Sequence, residues 1–423
     1  ESQERMMFTV DPKNVEKVLS ICEAWDVEAV TIGEVISEKN NIVHYNGTEI
    51  LNLDLDFTTG GPVYKRPFNL PEYETDKRKL QPIYPNNFNE IINDLIGKPE
   101  IASKDWVIRQ YDHEVRGKTV LKPIQGPVGK DVHGDSSVLK PVDDSWKGLA
   151  LTSDVNPYLM EANPYHGTMS AVEEVCRNLA SVGARIDSLA DCLCFGNPRK
   201  PDIMGQFKAS CEALKDAAIA VDVPYVSGNV SLYNETAEGA IPPTPVLMGI
   251  GLVKDIRKCT SSDMKKEGSI WIIGETKEEM GASLYYRHLN LESGNVPTTN
   301  FEEFMPRMEQ LIQAIENEEV VACHDISTGG LAITVIEMCM SGIGANIELT
   351  SDLRADIEMF SESNGRWIVQ VAPGCDDKFA NRFDYAKKIG NCGNEIVFTK
   401  DGKIISKLDI EESRKSWTNP LWN

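Results

Sequence analysis

Apolar positions along the chain change their spacing several times, and each change predicts an element. Residues 6–10 (MMFTV) read as a strand, after which Val15, Val18, Leu19 and Cys22 recur at helical spacing on one face. Residues 29–35 read as a further strand. Two short runs, 41–45 and 49–53, are joined by Asn46-Gly47 and predict a hairpin, because Asn-Gly suits the positive φ angles of a tight β-turn. A Pro- and charge-rich stretch from 60 to 87 follows, with Pro62, Pro67, Pro71, Pro82 and Pro85, and reads as a linker.

Beyond it the pattern alternates again. Met169, Val172, Val175, Cys176 and Leu179 form one helical face, with Thr168 or Ser170 as the cap, Glu173 completing a capping box and Gly183 as the stop. A strand then leads to Asp191 and the loop Phe195-Gly196-Asn197-Pro198. A helix presenting Met204, Phe207, Cys211, Leu214 and Ala218 precedes another strand and the loop Val226-Ser227-Gly228-Asn229, and the apolar run 246–253 closes this region. A third region holds a strand at 270–273, a helix through Phe304, Met308, Leu311, Ile312 and Ile315, a strand ending at His324-Asp325, a helix after Gly329-Gly330, and strands to the end.

The two ends of the chain match. Glu1-Ser2-Gln3-Glu4-Arg5 and Glu362-Ser363-Asn364-Gly365-Arg366 share a Glu-Ser-amide-x-Arg pattern. Each is followed by a strand, a helix, a short strand and a Gly-turned hairpin, at Asn46-Gly47 and at Asp401-Gly402. The ordered run predicts an internal duplication of large units. The chain is therefore expected to hold the tail of one copy followed by a complete second copy.

Composition narrows the class. Of 423 residues, 41% are hydrophobic and 26% charged, as in a globular enzyme of several domains. Asp and Glu number 65 against 43 Lys and Arg, so a net charge of -22 repels polyanions and excludes coating of nucleic acid or an anionic membrane. A nucleotide remains possible, since one local amide-lined pocket with Mg²⁺ overcomes a global field. No apolar run is long enough to span a bilayer, and residues 1–10 lack the basic and apolar regions of a secretory signal. The chain starts with Glu, so a processed chain or a fragment is expected. Ten cysteines are scattered mostly in apolar segments without a C-x-x-C pair, which predicts reduced thiols in a cytoplasmic protein.

Several chemistries are excluded. The Gly-Lys-Thr at 117–119 has Asp112 where a P-loop needs its first Gly, and no G-x-G-x-x-G or G-x-S-x-G occurs in the right context. What remains is a set of Gly-, Asn- and Asp-rich segments placed after apolar runs: Asp191 with 195–198, Gly228-Asn229 with Ser231, and His324-Asp325 with Gly329-Gly330. Oxygen ligands and close backbone approach are what Mg²⁺ and phosphate require, although such segments also make plain turns. Gln110-Tyr111-Asp112-His113-Glu114 concentrates polar groups, and a solvated loop explains it as well.

The segments QYDHEV (110–115), DCLCFGNP (191–198), SGNVSLYNE (227–235), IPPTP (241–245), HDISTGGL (324–331) and ESQER (1–5) occur in an order that closely resembles the synthetase component of phosphoribosylformylglycinamidine synthase. The resemblance covers essentially the whole chain. It implies ATP- and Mg²⁺-dependent amidation of formylglycinamide ribonucleotide in purine synthesis, through an iminophosphate that ammonia displaces. It also implies an α+β fold of two fused copies of an aminoimidazole ribonucleotide synthetase-like unit, each with a barrel-forming and a partner domain. On that basis residues 1–62 are the tail of the first copy's partner domain, 63–85 the linker, 86–255 the second copy's barrel-forming domain and 256–423 its partner.

Carried over by motif, Asp191 and Gly228 are nucleotide contacts, Asn229 a Mg²⁺ ligand, and Ser231 with Glu1, Ser2 and Gln3 substrate contacts. The family's catalytic His and most of its carboxylate ligands lie upstream of Glu1, and His113, His166 and His324 do not replace them. The resemblance further implies a glutaminase subunit and a small accessory subunit as partners. Two other readings stay open: a half that holds a nucleotide without turning it over, and another ATP-dependent reaction of the same superfamily.

Overall fold

The computed structural model describes residues 5–61, 63–71, 82–291 and 295–418, and the chain divides into two compact units, 1–65 and 66–423. The expected contacts Glu1, Ser2 and Gln3 lie outside the described residues.

In the first unit, helix α1 (Val15–Ala24) and the antiparallel hairpin β1 (Asn40–Tyr45) and β2 (Thr48–Asp54) form as expected. Asn46 and Gly47 take φ of 48° and 78°, which few residues other than Asn and Gly adopt without strain. A short helix α2 (Leu55–Thr59) follows, with Asp54 accepting from the Phe57 amide. Two expected strands are absent: residues 6–10 and 29–35 form no regular secondary structure. A strand exists through its neighbours' hydrogen bonds, and neither segment has a neighbour among the described residues. No described residue of this unit is buried.

The second unit opens with residues 66–71, which do not run free as a linker. The Asn69 amide donates to Pro201 O (3.0 Å) and its side chain to Asp202 Oδ1 (2.8 Å), while Lys208 Nζ sits 5.2 Å over the Phe68 ring. Gly205 permits this seat, since a Cβ there would lie 1.7 Å from Asn69 O.

After helix α3 (Phe88–Ile96), a six-stranded sheet is built from β3 (Thr119–Leu121), β4 (Ser137–Leu139), β5 (Gly148–Asp154), β6 (Ala184–Cys194), β7 (Tyr225–Ser231) and β8 (Thr244–Val253). Its spatial order is β3-β4-β5-β8-β6-β7, antiparallel except for the β6–β7 pair at the edge. That parallel pair requires a crossover, supplied by helix α6 (Pro201–Val221). Helix α4 (Pro157–Ala162) leads into α5 (Pro164–Ser181). Helix α5 starts at Pro164, with Asn163 accepting from the His166 amide, so the expected caps Thr168 and Ser170 are inside it. Pro at the first turn costs no hydrogen bond, which is why the helix reaches further back than the capping-box signal.

A seven-stranded sheet follows, from β9 (Ser269–Ile273), β10 (Val320–Asp325), β11 (Gly344–Leu349), β12 (Trp367–Val371), β13 (Ala386–Gly393), β14 (Ile396–Lys400) and β15 (Lys403–Leu408). Their order is β10-β12-β9-β13-β11-β14-β15, with β11–β14 the parallel pair. Helices α7 (Phe301–Glu316), α8 (Gly330–Cys339), α9 (Ala355–Phe360) and α10 (Ile410–Thr418) complete it. Strands β9 and β12 are buried along their whole length, as continuous apolar runs are when helices cover both faces. Helix α5 packs against both the first sheet and α7, so one apolar core joins the two sheets' layers. The α+β class holds.

Candidate functional site

Strands β6 and β7 bring together four of the expected residues. In their parallel register Asp191 lies opposite Gly228, Cys192 opposite Asn229, and Cys194 opposite Ser231. Three of the four are inside a strand, since β6 continues three residues past Asp191 and Gly228 and Asn229 are mid-strand, while Ser231 is the last residue of β7. The expectation that they form strand-end loops is corrected accordingly. Polar and Gly residues within an edge strand look like a turn in sequence, because a strand lined with Ser, Gly and Asn has little β-propensity of its own.

Alternation along the strands sorts these groups between two faces. Gly228 leaves room for Asp191, since a Cβ would meet its carboxylate oxygens at 3.0 and 3.1 Å. Asp191 therefore shares the face of buried Leu189 and Leu193, toward α6, and burial raises its pKa. Asn229 is on the opposite face, where its amide donates to Cys192 Sγ (3.3 Å). Asp191 and Asn229 thus cannot ligate one ion directly. Strand β7 is the sheet edge, and its residues 226–230 are exposed.

The flanking motifs are tied to this edge. The Phe195 amide donates to Ser231 O (2.9 Å), the Tyr233 amide to Gly196 O (3.0 Å), and the Asn234 side chain to Phe195 O (3.1 Å) and Ser231 O (2.9 Å). Lys200 pairs with Glu235 at 2.9 Å. The 195–198 and 227–235 segments are one hydrogen-bonded rim. Residues 110–115, by contrast, form a largely exposed loop, with Thr119 Oγ1 donating to His113 O.

A second cluster was not expected as a unit. Arg177 on α5, 1% exposed, donates to Asp325 Oδ2 (3.0 Å) and to Glu173, with Glu174 at 3.4 Å. The Asp325 amide donates to Asp135 Oδ2 (3.1 Å). His324 Nδ1 lies 2.6 Å from Asp135 Oδ1, off the line of an ideal hydrogen bond, and its Nε2 is 3.3 Å from Glu337. Burial pushes Asp325 and Glu173 up to about 7 against the pull of Arg177, and raises Asp154 well above its usual range with help from Glu174. Burial opposes the charge on His324, yet Asp135 and Glu337 outweigh it and raise its pKa well above the usual imidazole range.

Asp135, His324 and Asp325 present ligand atoms within 4.8 Å of one another, the arrangement among the described residues that could hold a cation. The chain already places the Arg177 guanidinium against this cluster, so part of its negative charge is met internally. Of this cluster, His324-Asp325 is a motif of the sequence, whereas Glu173, expected in a capping box, lies inside α5 and pairs with Arg177. The spacing of Glu173 and Arg177, four apart amid apolar neighbours, was the available signal for a buried pair.

The 324–331 segment ends β10 and starts α8. Glu362 Oε1 accepts from the amides of Gly329 (2.8 Å) and Leu284 (2.8 Å), so an internal carboxylate occupies the anion position at this turn. The rest of 362–366 is equally committed. Asn364 donates to Ser170 and Thr299, the Gly365 amide to Glu173, and Arg366 to Ser361 O, Ser363 O and Thr276. All ten cysteines are free thiols, and no helix among the described residues is long and apolar enough to cross a membrane.

Comparison with known proteins agrees with this architecture. The AIR synthase related protein N-terminal domain matches residues 133–253, and the C-terminal domain of the same family matches 1–46 and 266–396. The PurL subunit of phosphoribosylformylglycinamidine synthase from Thermoplasma volcanium is 34% identical over 428 residues, covering 100% of this chain and 56% of that protein. The PurL subunit from Methanocaldococcus jannaschii is 38% identical over 433 residues, covering 99% and 58%. The chain therefore spans little more than half the length of these relatives. Among solved structures, Thermotoga maritima PurL complexed with ATP superposes with a TM-score of 0.58 at 20% identity, over 90% of this chain and 53% of that one. The same protein complexed with FGAR gives 0.61 at 14% identity, over 78% and 53%. With both of that family's domain models matched over most of its length, the chain belongs to the AIR synthase related proteins, and its relatives are PurL subunits.

Proposed function

We propose that this chain is the second half of a PurL-type synthetase, which uses ATP and Mg²⁺ to convert formylglycinamide ribonucleotide to its amidine with glutamine-derived ammonia. The observation that carries it is the β6–β7 edge, where Asp191, Gly228, Asn229 and Ser231 stand in register beside a hydrogen-bonded loop rim. In this reading Gly228 admits the nucleotide against Asp191, the Asn229 amide oxygen ligates Mg²⁺ beside it, and Ser231 with residues 1–3 contacts substrate. Mg²⁺ would neutralise phosphate charge, a role suited to an amide oxygen that needs no deprotonation. We place the catalytic His and the remaining ligands on an upstream half, and a glutaminase and a small accessory subunit complete the assembly. The domain limits we adopt are 1–62, 63–85, 86–255 and 256–423, and the expected compartment is the cytoplasm.

The first unit supports a missing partner. Met6, Met7 and Phe8 are 84%, 82% and 69% exposed, whereas Trp367, Ile368 and Val369, which follow the second Glu-Ser-amide-x-Arg segment, are fully buried in a central strand. A second reading is favoured by Glu362 and Arg177. With its Glu-Ser-amide-x-Arg segment committed internally and a guanidinium in its acidic cluster, the second copy's own site is not turned over. The test is turnover of formylglycinamide ribonucleotide with ammonia and Mg·ATP, for this chain alone and mixed with an upstream half. Activity in the mixture that Asn229→Ala abolishes supports the proposal. Full activity of the chain alone, or indifference to Asn229, would overturn it.

A further inference from the structure

The face of β6 that carries Asn229's neighbour has a chemistry the nucleotide reading does not use. Cys192 and Cys194 are two residues apart on one strand and therefore on one face, with their Sγ atoms 3.7 Å apart. Both are half-buried, and the exposed Asn229 amide lies 3.3 Å from Cys192 Sγ. Two thiolates bound tetrahedrally at about 2.3 Å from one soft cation stand about 3.8 Å apart, so the pair already has the bite such an ion needs. A disulfide fits less well. Residues i and i+2 of a strand are about 6.6 Å apart at Cα, near the upper end of what a disulfide spans. The strand thus keeps the pair as a dithiol. A rotation of the Asn229 amide about its last torsion exchanges nitrogen for oxygen and turns a third ligand toward the same point.

We propose that Cys192 and Cys194, with the Asn229 amide oxygen, form a clamp for a thiophilic cation of the Zn²⁺, Cd²⁺ or Cu⁺ class. Binding releases two thiol protons as two metal–sulfur bonds form, without oxidation or reduction. The inference rests on the reading of Asn229 as a Mg²⁺ ligand only for its consequence: a soft ion engages Asn229 and thereby displaces Mg·nucleotide. Hard Mg²⁺ does not compete for the sulfurs, since thiolates select soft metals.

The test uses the full 423-residue chain, reduced and stripped of metal, titrated with Cd²⁺ while thiolate-to-cadmium charge-transfer absorption is followed. Wild type should bind one Cd²⁺ that Cys192→Ser and Cys194→Ser each weaken about tenfold or more, with Cys211→Ser as the thiol control that leaves it unchanged. As a measurement independent of the variants' folding, phenylarsine oxide should bridge two thiols with loss of one water, and mass spectrometry should place the arsenic on the peptide containing residues 192 and 194. Equal Cd²⁺ affinity in all four proteins, or arsenic on other cysteines, would overturn the clamp. If Cd²⁺ binds at the pair yet leaves Mg·ATP affinity unchanged, the clamp stands and the assignment of Asn229 falls.

Discussion

Replacing Arg177 with Met removes the one guanidinium that holds Glu173 and Asp325 inside the second unit. The side chain is 1% exposed, Glu173 is fully buried and Asp325 nearly so. Met keeps most of the apolar stem, so the change isolates the charge. Breaking a buried pair by deleting one partner typically costs about 3–5 kcal/mol, because the remaining charge is stranded. Here the stranded groups have an escape. Burial already holds Glu173 and Asp325 near 7, so below that pH each can take a proton and end neutral. The loss should therefore sit near the low end of that range at about pH 6 and grow as pH rises. Each carboxyl that stays protonated in the variant but not in wild type adds about 1.4 kcal/mol per pH unit.

The assay is urea unfolding at about pH 6 and pH 8 for wild type, Arg177→Met, Asp325→Asn and the double variant. Trp367, whose Nε1 donates to Arg177 O at 3.1 Å, supplies a local fluorescence reporter. Neutralising Asp325 as well should recover part of the loss, giving a coupling of about 1–3 kcal/mol. A cost under about 1 kcal/mol at both pH values, or one indifferent to pH, would refute the argument that this cluster is a charge-balanced buried network.

Three further outcomes follow from the same structure. The stability contributed by Glu173, Asp325 and Glu362, whose pKa values burial raises to about 7, should be lost as pH rises from about 4.5 to that value, so Glu362→Gln should show a less negative slope of urea midpoint against pH over this window than wild type; identical slopes contradict that. Gly205→Val should expel residues 68–70 from α6, because even a Cβ lies 1.7 Å from Asn69 O; limited proteolysis should then cut near residues 66–71 while the main melting transition stays in place. Gly228→Val should lower Mg·ATP affinity about tenfold or more with little change in melting temperature, since the added side chain enters the space against Asp191 at a sheet edge rather than a core; unchanged calorimetric affinity would remove Gly228 from the site.

Much of the fold was legible because local signals coincided with tertiary need. Asn46-Gly47 and Asp401-Gly402 both make tight turns with positive φ at each residue, and the apolar faces of α1, α5, α6 and α7 all form helices. The site was legible as a set of residues and not as a geometry. Nothing in the spacing of Asp191 or Asn229 says that β6 and β7 pair in parallel, yet that pairing puts Asp191 beside Gly228 and sends Asn229 to the other face. The buried cluster was illegible for a related reason. Asp135, Arg177 and Asp325 are far apart in sequence, and the four-residue spacing of Glu173 and Arg177, which signals a buried pair, does not say which distant carboxylates complete the cluster.

The expected strand at residues 6–10, which does not form, carries the most information about what the chain needs. Residues 6–10 and 367–371 each follow a Glu-Ser-amide-x-Arg segment, and a local rule would give both the same structure. Trp367–Val371 is a strand because β9 and β10 bond it on both edges and helices cover both faces. Met6, Met7 and Phe8 have the same apolar character and no strand beside them among the described residues, so their side chains meet water. Leaving three large apolar side chains exposed forgoes about 1.5–3 kcal/mol each, enough to drive association with any surface that offers the missing strands. On the proposed reading that surface is the upstream half. Met6→Lys and Phe8→Lys, which leave the hairpin and α1 untouched, should then weaken binding of that half in a pull-down or by calorimetry while the melting transition of residues 66–423 is unchanged. Binding that survives both substitutions would mean that the exposed segment is not where the halves meet.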